Sequence, residues 1–362
     1  MKIGILTYYN VHNHGAMLQA FALQKVFQNM DNDVEFLRFA RNYDFISEGL
    51  EKKYKFGIPS IKFYINYFIL HGMGTFLFNY RKKSDLKKFR NDNFQITNRY
   101  SDATVNAVCI GSDEVFALDV GVNPFFYGHA LKVDNIFSYA GSFGATVLND
   151  IKKLGCDKLI SSGIEHMKHI GVRDKNSYEI VEDIANVKPT LVCDPVILYG
   201  YDKEISMLMK INTRYVLLYS YDKNSNSKEE IEAIKNFAKK SRCKVYSVGY
   251  YHKWCDKNIN VSPIELIGYF RDATYVITDT FHGSVLSLIT KAQFAARLRT
   301  NKNKLEFLLR QYNLLERIVT NYSELDVVFD KIIDYAPINI QINEHRALSI
   351  AFLSKCLGVA ND

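Results

Sequence analysis

The stretch Thr274-Tyr275-Val276-Ile277-Thr278-Asp279-Thr280-Phe281-His282-Gly283-Ser284 changes character within a few residues. A β-branched run ends in polar groups, and a helical pattern starts directly after it. Asp279 and Thr280 are of the residue types that cap a helix start by accepting its free amide hydrogens. The same amides attract anions. A histidine placed there titrates near neutral pH and can deliver a proton. His282 is therefore the candidate proton donor. Asp279, Thr280, Gly283 and Ser284 are candidates for substrate contact.

Four other segments have similar form. In Gly171-Val172-Arg173-Asp174, an apolar run ends on Arg173, whose planar fork matches a carboxylate or a phosphate. The plainer alternative is a surface pair with Asp174. The segment Asn10-Val11-His12-Asn13-His14-Gly15 follows the first apolar run and offers Asn13 and Gly15. It carries neither a dinucleotide fingerprint nor a P-loop, and His12 and His14 lack the Cys or carboxylate neighbours of a metal site. In Ile110-Gly111-Ser112-Asp113-Glu114, Ser112, Asp113 and Glu114 can hydrogen-bond sugar hydroxyls. Arg297-Leu298-Arg299, with Lys302 and Lys304 close behind, either neutralises a phosphate or forms a solvated basic loop.

Each of these segments needs a strand to present it. Residues 2–7 read as a strand. Residues 15–29 read as a helix, with Ala16, Leu18, Ala20, Leu23, Val26 and Phe27 near helical spacing. Residues 33–39 read as the next strand. This β-α-β unit implies a parallel sheet covered on both faces. Further strands are expected at 105–110, 135–140, 169–173 and 190–193, with helices at 150–168 and 175–184. A second alternation places strands at 214–219, 244–248, 274–278 and 293–296. Its helices fall at 226–241, 263–271, 283–290 and 302–312, and the last forty residues also read as helical. A chain of 362 residues exceeds one ordinary core of about 100–200 residues. The expectation is an α/β protein of two doubly wound domains, 1–200 and 201–362, facing one cleft. Ligands in such sheets lie beyond the C-terminal strand ends.

Composition narrows the function. Hydrophobic residues make up 48% and charged residues 23%, an ordinary globular balance. The net charge of +7 favours anionic partners, yet no Lys/Arg run exceeds three residues. Nucleic acid is therefore not expected as a partner. The six cysteines form no C-x-x-C pair, so neither a zinc site nor any other metal is expected, and a reducing cytoplasm fits best. The chain opens on a strand pattern rather than an apolar leader. One segment breaks the rhythm: residues 63–80 carry no Asp, Glu, Lys or Arg. They lie in an inserted helical stretch near 45–95. The segment reads as helices capping the first domain, as a patch resting on a membrane surface, or as a span.

Taken in order, these pieces resemble the polysaccharide pyruvyl transferase family. The matching residues are Gly4-Ile5-Leu6-Thr7 with Asn13-His14-Gly15-Ala16-Met17-Leu18-Gln19-Ala20; Gly111-Ser112-Asp113; Ser138-Tyr139-Ala140-Gly141-Ser142-Phe143-Gly144; Val172-Arg173-Asp174; Asp194-Pro195; and Thr278 to Ser284. They run from residue 3 to about 318. The resemblance implies two facing Rossmann-like domains similar to GT-B glycosyltransferases, with the acceptor on the first and the donor on the second. It implies phosphoenolpyruvate as donor and a sugar or lipid-linked oligosaccharide diol as acceptor, without a cofactor. The product is a pyruvate ketal in a surface polysaccharide. By motif, His282 is the general acid and Arg173 a donor-binding arginine. Some relatives carry a further arginine two residues before the histidine. This chain has Thr280 there, which leaves Arg297, Arg299 and Lys304 as alternatives for the donor phosphate. A lipid-linked acceptor would bring the cytoplasmic protein to the inner membrane face through segment 63–80. A GT-B-like glycosyltransferase using a nucleotide sugar is the competing expectation.

Overall fold

Alternation of short apolar runs with amphipathic stretches yields two parallel sheets. The computed structural model describes residues 1–39, 59–119, 121–299 and 303–359, with 59–71 described by backbone. The first sheet is built from β1 (Lys2–Leu6), β2 (Asp33–Arg38), β3 (Ile96–Arg99), β4 (Ala107–Ile110), β5 (Ile136–Gly141), β6 (His169–Val172) and β7 (Thr190–Leu191). Its order is β3-β2-β1-β4-β5-β6-β7, and every pairing is parallel. The second sheet is built from β8 (Tyr215–Tyr219), β9 (Lys244–Val248), β10 (Lys257–Ile259), β11 (Tyr275–Thr278), β12 (Phe294–Arg297) and β13 (Ile318–Val319). Its order is β10-β9-β8-β11-β12-β13, again parallel throughout. This is the two-domain, GT-B-like α/β architecture expected from the sequence.

The central strands are buried along their whole length: β4 reads Ala-Val-Cys-Ile, β5 Ile-Phe-Ser-Tyr-Ala-Gly and β8 Tyr-Val-Leu-Leu-Tyr. Helices on both faces leave no solvated side for polar residues to occupy, so the runs are almost wholly apolar, and Ser138 in β5 is satisfied by the backbone of Gly171. In each sheet the strand order reverses next to the first strand, between β1 and β4 and between β8 and β11. Loops leaving the two strands at such a point diverge to opposite faces and open a crevice. The Asn13, Asp113, Tyr221 and His282 segments all leave from these four strand ends.

Two helices tie the halves together. The final helix, Tyr335–Leu357, starts on the second half, where the Tyr335 hydroxyl donates to Ala292 O at 2.6 Å. It ends on the first, where Asn135 donates to Cys356 O at 2.9 Å and Cys193 N donates to Ser349 Oγ at 3.0 Å. The other is the helix Pro59–Asn93, broken at Gly72 (φ 75°, ψ 165°). It contains residues 63–80, and its C-terminal part packs against both halves rather than capping the first alone. The Phe89 and Phe21 ring centres are 5.7 Å apart, while Asn79 donates to Asp222 Oδ2 at 3.0 Å and Asn260 donates to Phe78 O at 2.9 Å. No helix among the described residues is long and apolar enough to cross a membrane.

Candidate active site

β11 ends at Thr278, and the chain turns at once into the helix Phe281–Thr290. Thr280 is its cap, with extended backbone (φ −115°, ψ 148°) and Oγ1 accepting from Gly283 N at 2.9 Å. Thr278 Oγ1 lies 3.1 Å from Thr280 Oγ1 and donates to Tyr219 O at 2.7 Å. A Cβ on Gly283 would stand 2.0 Å from Thr278 Oγ1, so only glycine fits there. Ser284 is buried one residue further in. Gly283 and Ser284 thus shape the turn and do not present side chains to a ligand.

His282 sits in the first turn of that helix and faces the other half. A Cβ on Gly15 would come within 2.4 Å of its Cγ and Nδ1, so the bare glycine is the surface against which the imidazole rests. Its Nε2 lies 3.9 Å from Asp194 Oδ2 and has no hydrogen-bond partner. The side chain is 12% exposed. Burial lowers its pKa below the ordinary 6.5, outweighing the pull of Asp194 and Asp113 in the other direction. Arg173 and Lys304 reinforce the lowering.

Arg173, at the end of β6, is not a free fork. Nη1 donates to Asp194 Oδ2 at 2.8 Å and Nη2 to Asp113 Oδ1 at 2.9 Å. Its guanidinium lies 4.5 Å over the Phe281 ring. Burial works against its charge, but the two carboxylates outweigh that and hold the pKa above its ordinary value. Asp113 shows the converse: burial would raise its pKa, and Arg173 turns the balance so that it stays low. Sequence reasoning missed Asp194 as a site residue, although it caps the short helix Pro195–Tyr199 by accepting from Val196 N at 3.0 Å. An Asp-Pro pair after a strand is the signal of such a cap, but not of the charge it also carries.

The remaining expected residues divide by reach. Asn13 caps the helix His14–Asn29 by accepting from Gly15 N at 2.8 Å and still lines the cleft. Ser112 does not reach the cleft: it is fully buried, donates to Gln19 Oε1, and its carbonyl accepts from Thr7 Oγ1 at 2.8 Å. Asp279 Oδ2 accepts from Ser220, Asn224 and Arg299 at 2.8, 2.7 and 3.0 Å. Arg299 also meets Glu230 at 3.0 Å. Arg297 pairs with Glu230 and stacks 4.7 Å over Tyr322. Lys304 pairs with Glu114 and lies 5.7 Å from the Phe281 ring centre. His12 is exposed. His14 is buried, with Nε2 2.9 Å from Val261 O in the second half, and burial drives its pKa down to about 3.

Between these groups lies a recess of about 410 Å³, lined by Asn13, Asp113, Glu114, His282 and Lys304 together with Tyr219, Tyr221 and Tyr250. It adjoins a wider opening of about 1310 Å³ that shares Tyr221, Thr280, Phe281 and Lys304 and adds Lys223, Asn224, Asp279 and Arg299. The three tyrosines and Lys223 were not singled out from sequence, although Tyr219-Ser220-Tyr221 stands at a strand end like the other segments. Tyr219 and Tyr250 ring centres are 5.0 Å apart, and Tyr221 and Tyr250 are 5.4 Å apart. Burial raises all three phenol pKa values, so they remain neutral donors. Among the described residues no cluster of His, Cys, Asp or Glu could hold a metal ion.

The arrangement offers a proton carrier, a carboxylate pair locked by an arginine, and one exposed ring, Tyr221, of a type suited to a sugar face. Against known proteins, the family model described as "Polysaccharide pyruvyl transferase" matches residues 13–297. No curated protein matches the chain in sequence. In structure the chain is similar to the Staphylococcus aureus MnaA–UDP co-structure (9% identity, 100% of this chain and 98% of that one, TM-score 0.51). It is also similar to the UDP-GlcNAc 2-epimerase of Neisseria meningitidis (10% identity, 98% and 100%, TM-score 0.51). A third likeness is to the trehalose-6-phosphate synthase OtsA (10% identity, 99% and 100%, TM-score 0.53). At these identities the likeness shows the fold and no more.

Proposed function

Because the chain belongs to the polysaccharide pyruvyl transferase family, we propose that it moves the pyruvyl group of phosphoenolpyruvate onto two hydroxyls of a sugar. The observation that carries this reading is His282, which lines the recess and whose buried Nε2 has no hydrogen-bond partner and lies 3.9 Å from Asp194 Oδ2.

The enol phosphate becomes electrophilic at C2 once C3 takes a proton. Burial biases His282 toward its neutral form. A bound anion reverses that bias, because negative charge beside an imidazole favours the imidazolium. The donor thus charges the acid that activates it. One sugar hydroxyl attacks C2. The second then displaces phosphate and closes the ketal, and the hydroxyl protons pass to imidazole and phosphate.

Arg173 supports this chemistry indirectly. It holds Asp113 and Asp194 in place, which fixes the charges around His282. Lys223, Lys304 and Arg299, which line the wider opening, receive the donor's phosphate and carboxylate. The acceptor sugar lies against Tyr221, which is exposed and backed by the buried Tyr250, with Asn13, Asp113 and Glu114 available to its hydroxyls. The two halves meet at this point, so donor and acceptor need not be assigned one to each half.

A ligand raises the melting temperature of what it binds. Phosphoenolpyruvate is expected to raise it here, and Lys304→Ala to reduce the rise. Protection by nucleotide sugars with none by phosphoenolpyruvate would favour a glycosyltransferase instead.

A further inference from the structure

The helix Pro59–Asn93 is regular from Met73 onward, after its break at Gly72. Thr75, Phe78, Lys82, Leu86 and Phe89 are buried and recur every three or four residues, so they define its inward face. Protein covers that face. The Phe78 and Tyr251 rings are 5.6 Å apart, and Lys82 Nζ sits 4.2 Å over Tyr250.

The outward face has a different make-up. Met73, Leu77 and Tyr80 form one stripe by their spacing and are 61%, 47% and 67% exposed. Over the following turns the stripe becomes cationic: Arg81, Lys83, Lys87 and Lys88 are all exposed. None of these four has an ion-pair partner among the described residues.

A purely solvated face would be polar along its length, and a core-like protein interface would be depleted of lysine. Apolar turns that lead into cationic turns match a bilayer surface. The apolar side chains reach the acyl boundary, and the cations stay at the headgroup phosphates. We propose that this stripe docks the protein on a membrane surface rich in anionic lipid. The inference stands on the helix alone and does not depend on the reaction proposed above. It has a geometric consequence. The inward face of the same helix touches Tyr250, which lines the recess. Docking therefore places that wall about one helix diameter, roughly 10 Å, from the lipid.

Sedimentation of the full chain with vesicles tests this. Binding is expected to vesicles of phosphatidylcholine with phosphatidylglycerol, not to phosphatidylcholine alone, and to weaken with salt. Each cation near an anionic surface contributes roughly fivefold. The triple variant Lys83→Gln, Lys87→Gln, Lys88→Gln should therefore bind at least tenfold more weakly. The variant Met73→Ser, Leu77→Ser, Tyr80→Ser should show a comparable loss with an unchanged melting temperature, because these side chains are exposed. Absence of binding by the wild type, or binding indifferent to both variants, overturns the proposal. So does a wild-type dimer that the apolar variant converts to monomer, which would assign the stripe to a second copy of the chain.

Discussion

Gly15 and His282 are in contact across the two halves of the molecule, so close that a single methyl on Gly15 would stand 2.4 Å from the imidazole. The contact sets the position of the proposed acid with a residue that carries no side chain. Gly15→Ala must therefore push the ring aside. A displacement of about 1 Å at a reacting group costs on the order of 10²-fold in rate. The expected result is a loss of kcat of that size with phosphoenolpyruvate binding largely kept, measured by steady-state kinetics and by melting with the donor.

Asp194 is the nearest carboxylate to His282 and one of two that hold Arg173. Asp194→Asn keeps the shape and removes a charge that raises the imidazole pKa. The His282 titration, followed by ring proton shifts, should move further down. Breaking one arm of a buried ion pair should also cost about 3 kcal/mol of stability, read from denaturant unfolding.

The activity profile follows from the same balance. A general acid must be protonated, and burial holds the His282 pKa below 6.5. The alkaline fall of kcat/KM should therefore begin below pH 6.5, since that limb reports the free enzyme. The fall of kcat should begin at higher pH, because the bound anion stabilises the imidazolium. Coincident limbs would show that donor charge does not reach the ring.

His14 gives a stability signature independent of catalysis. Its folded pKa is about 3, against about 6.5 unfolded. Between those values the unfolded chain binds the proton and the folded chain does not, so stability is lost as pH falls. The slope should be about 1.4 kcal/mol per pH unit at most from this one group. It should flatten in His14→Gln, compared by urea unfolding at pH 6.5 and pH 5.

How far these features were legible in the sequence depended on burial. The central strands were readable because both faces are covered and the runs stay apolar. β3, β10 and β13 were not foreseen. Each is a sheet edge of two to four residues, too short to leave a recognisable strand pattern. His282, Arg173 and Asp113 were legible as polar residues at strand ends. What Arg173 does was not, because its two partners arrive from residues 113 and 194, and only the folded sheet brings them together. Ser112 was misleading for a related reason: its hydroxyl is satisfied by Gln19, one helix away in the core.

The central claim is that His282 delivers the proton that activates phosphoenolpyruvate. Release of inorganic phosphate from phosphoenolpyruvate in the presence of a polysaccharide acceptor, compared between wild type and His282→Ala, tests it most directly. Phosphate release matched by ketal formation is expected in the wild type, with a fall of at least about 10²-fold in the variant. Near-wild-type release by His282→Ala, or transfer by the wild type from a nucleotide sugar in place of phosphoenolpyruvate, would contradict it.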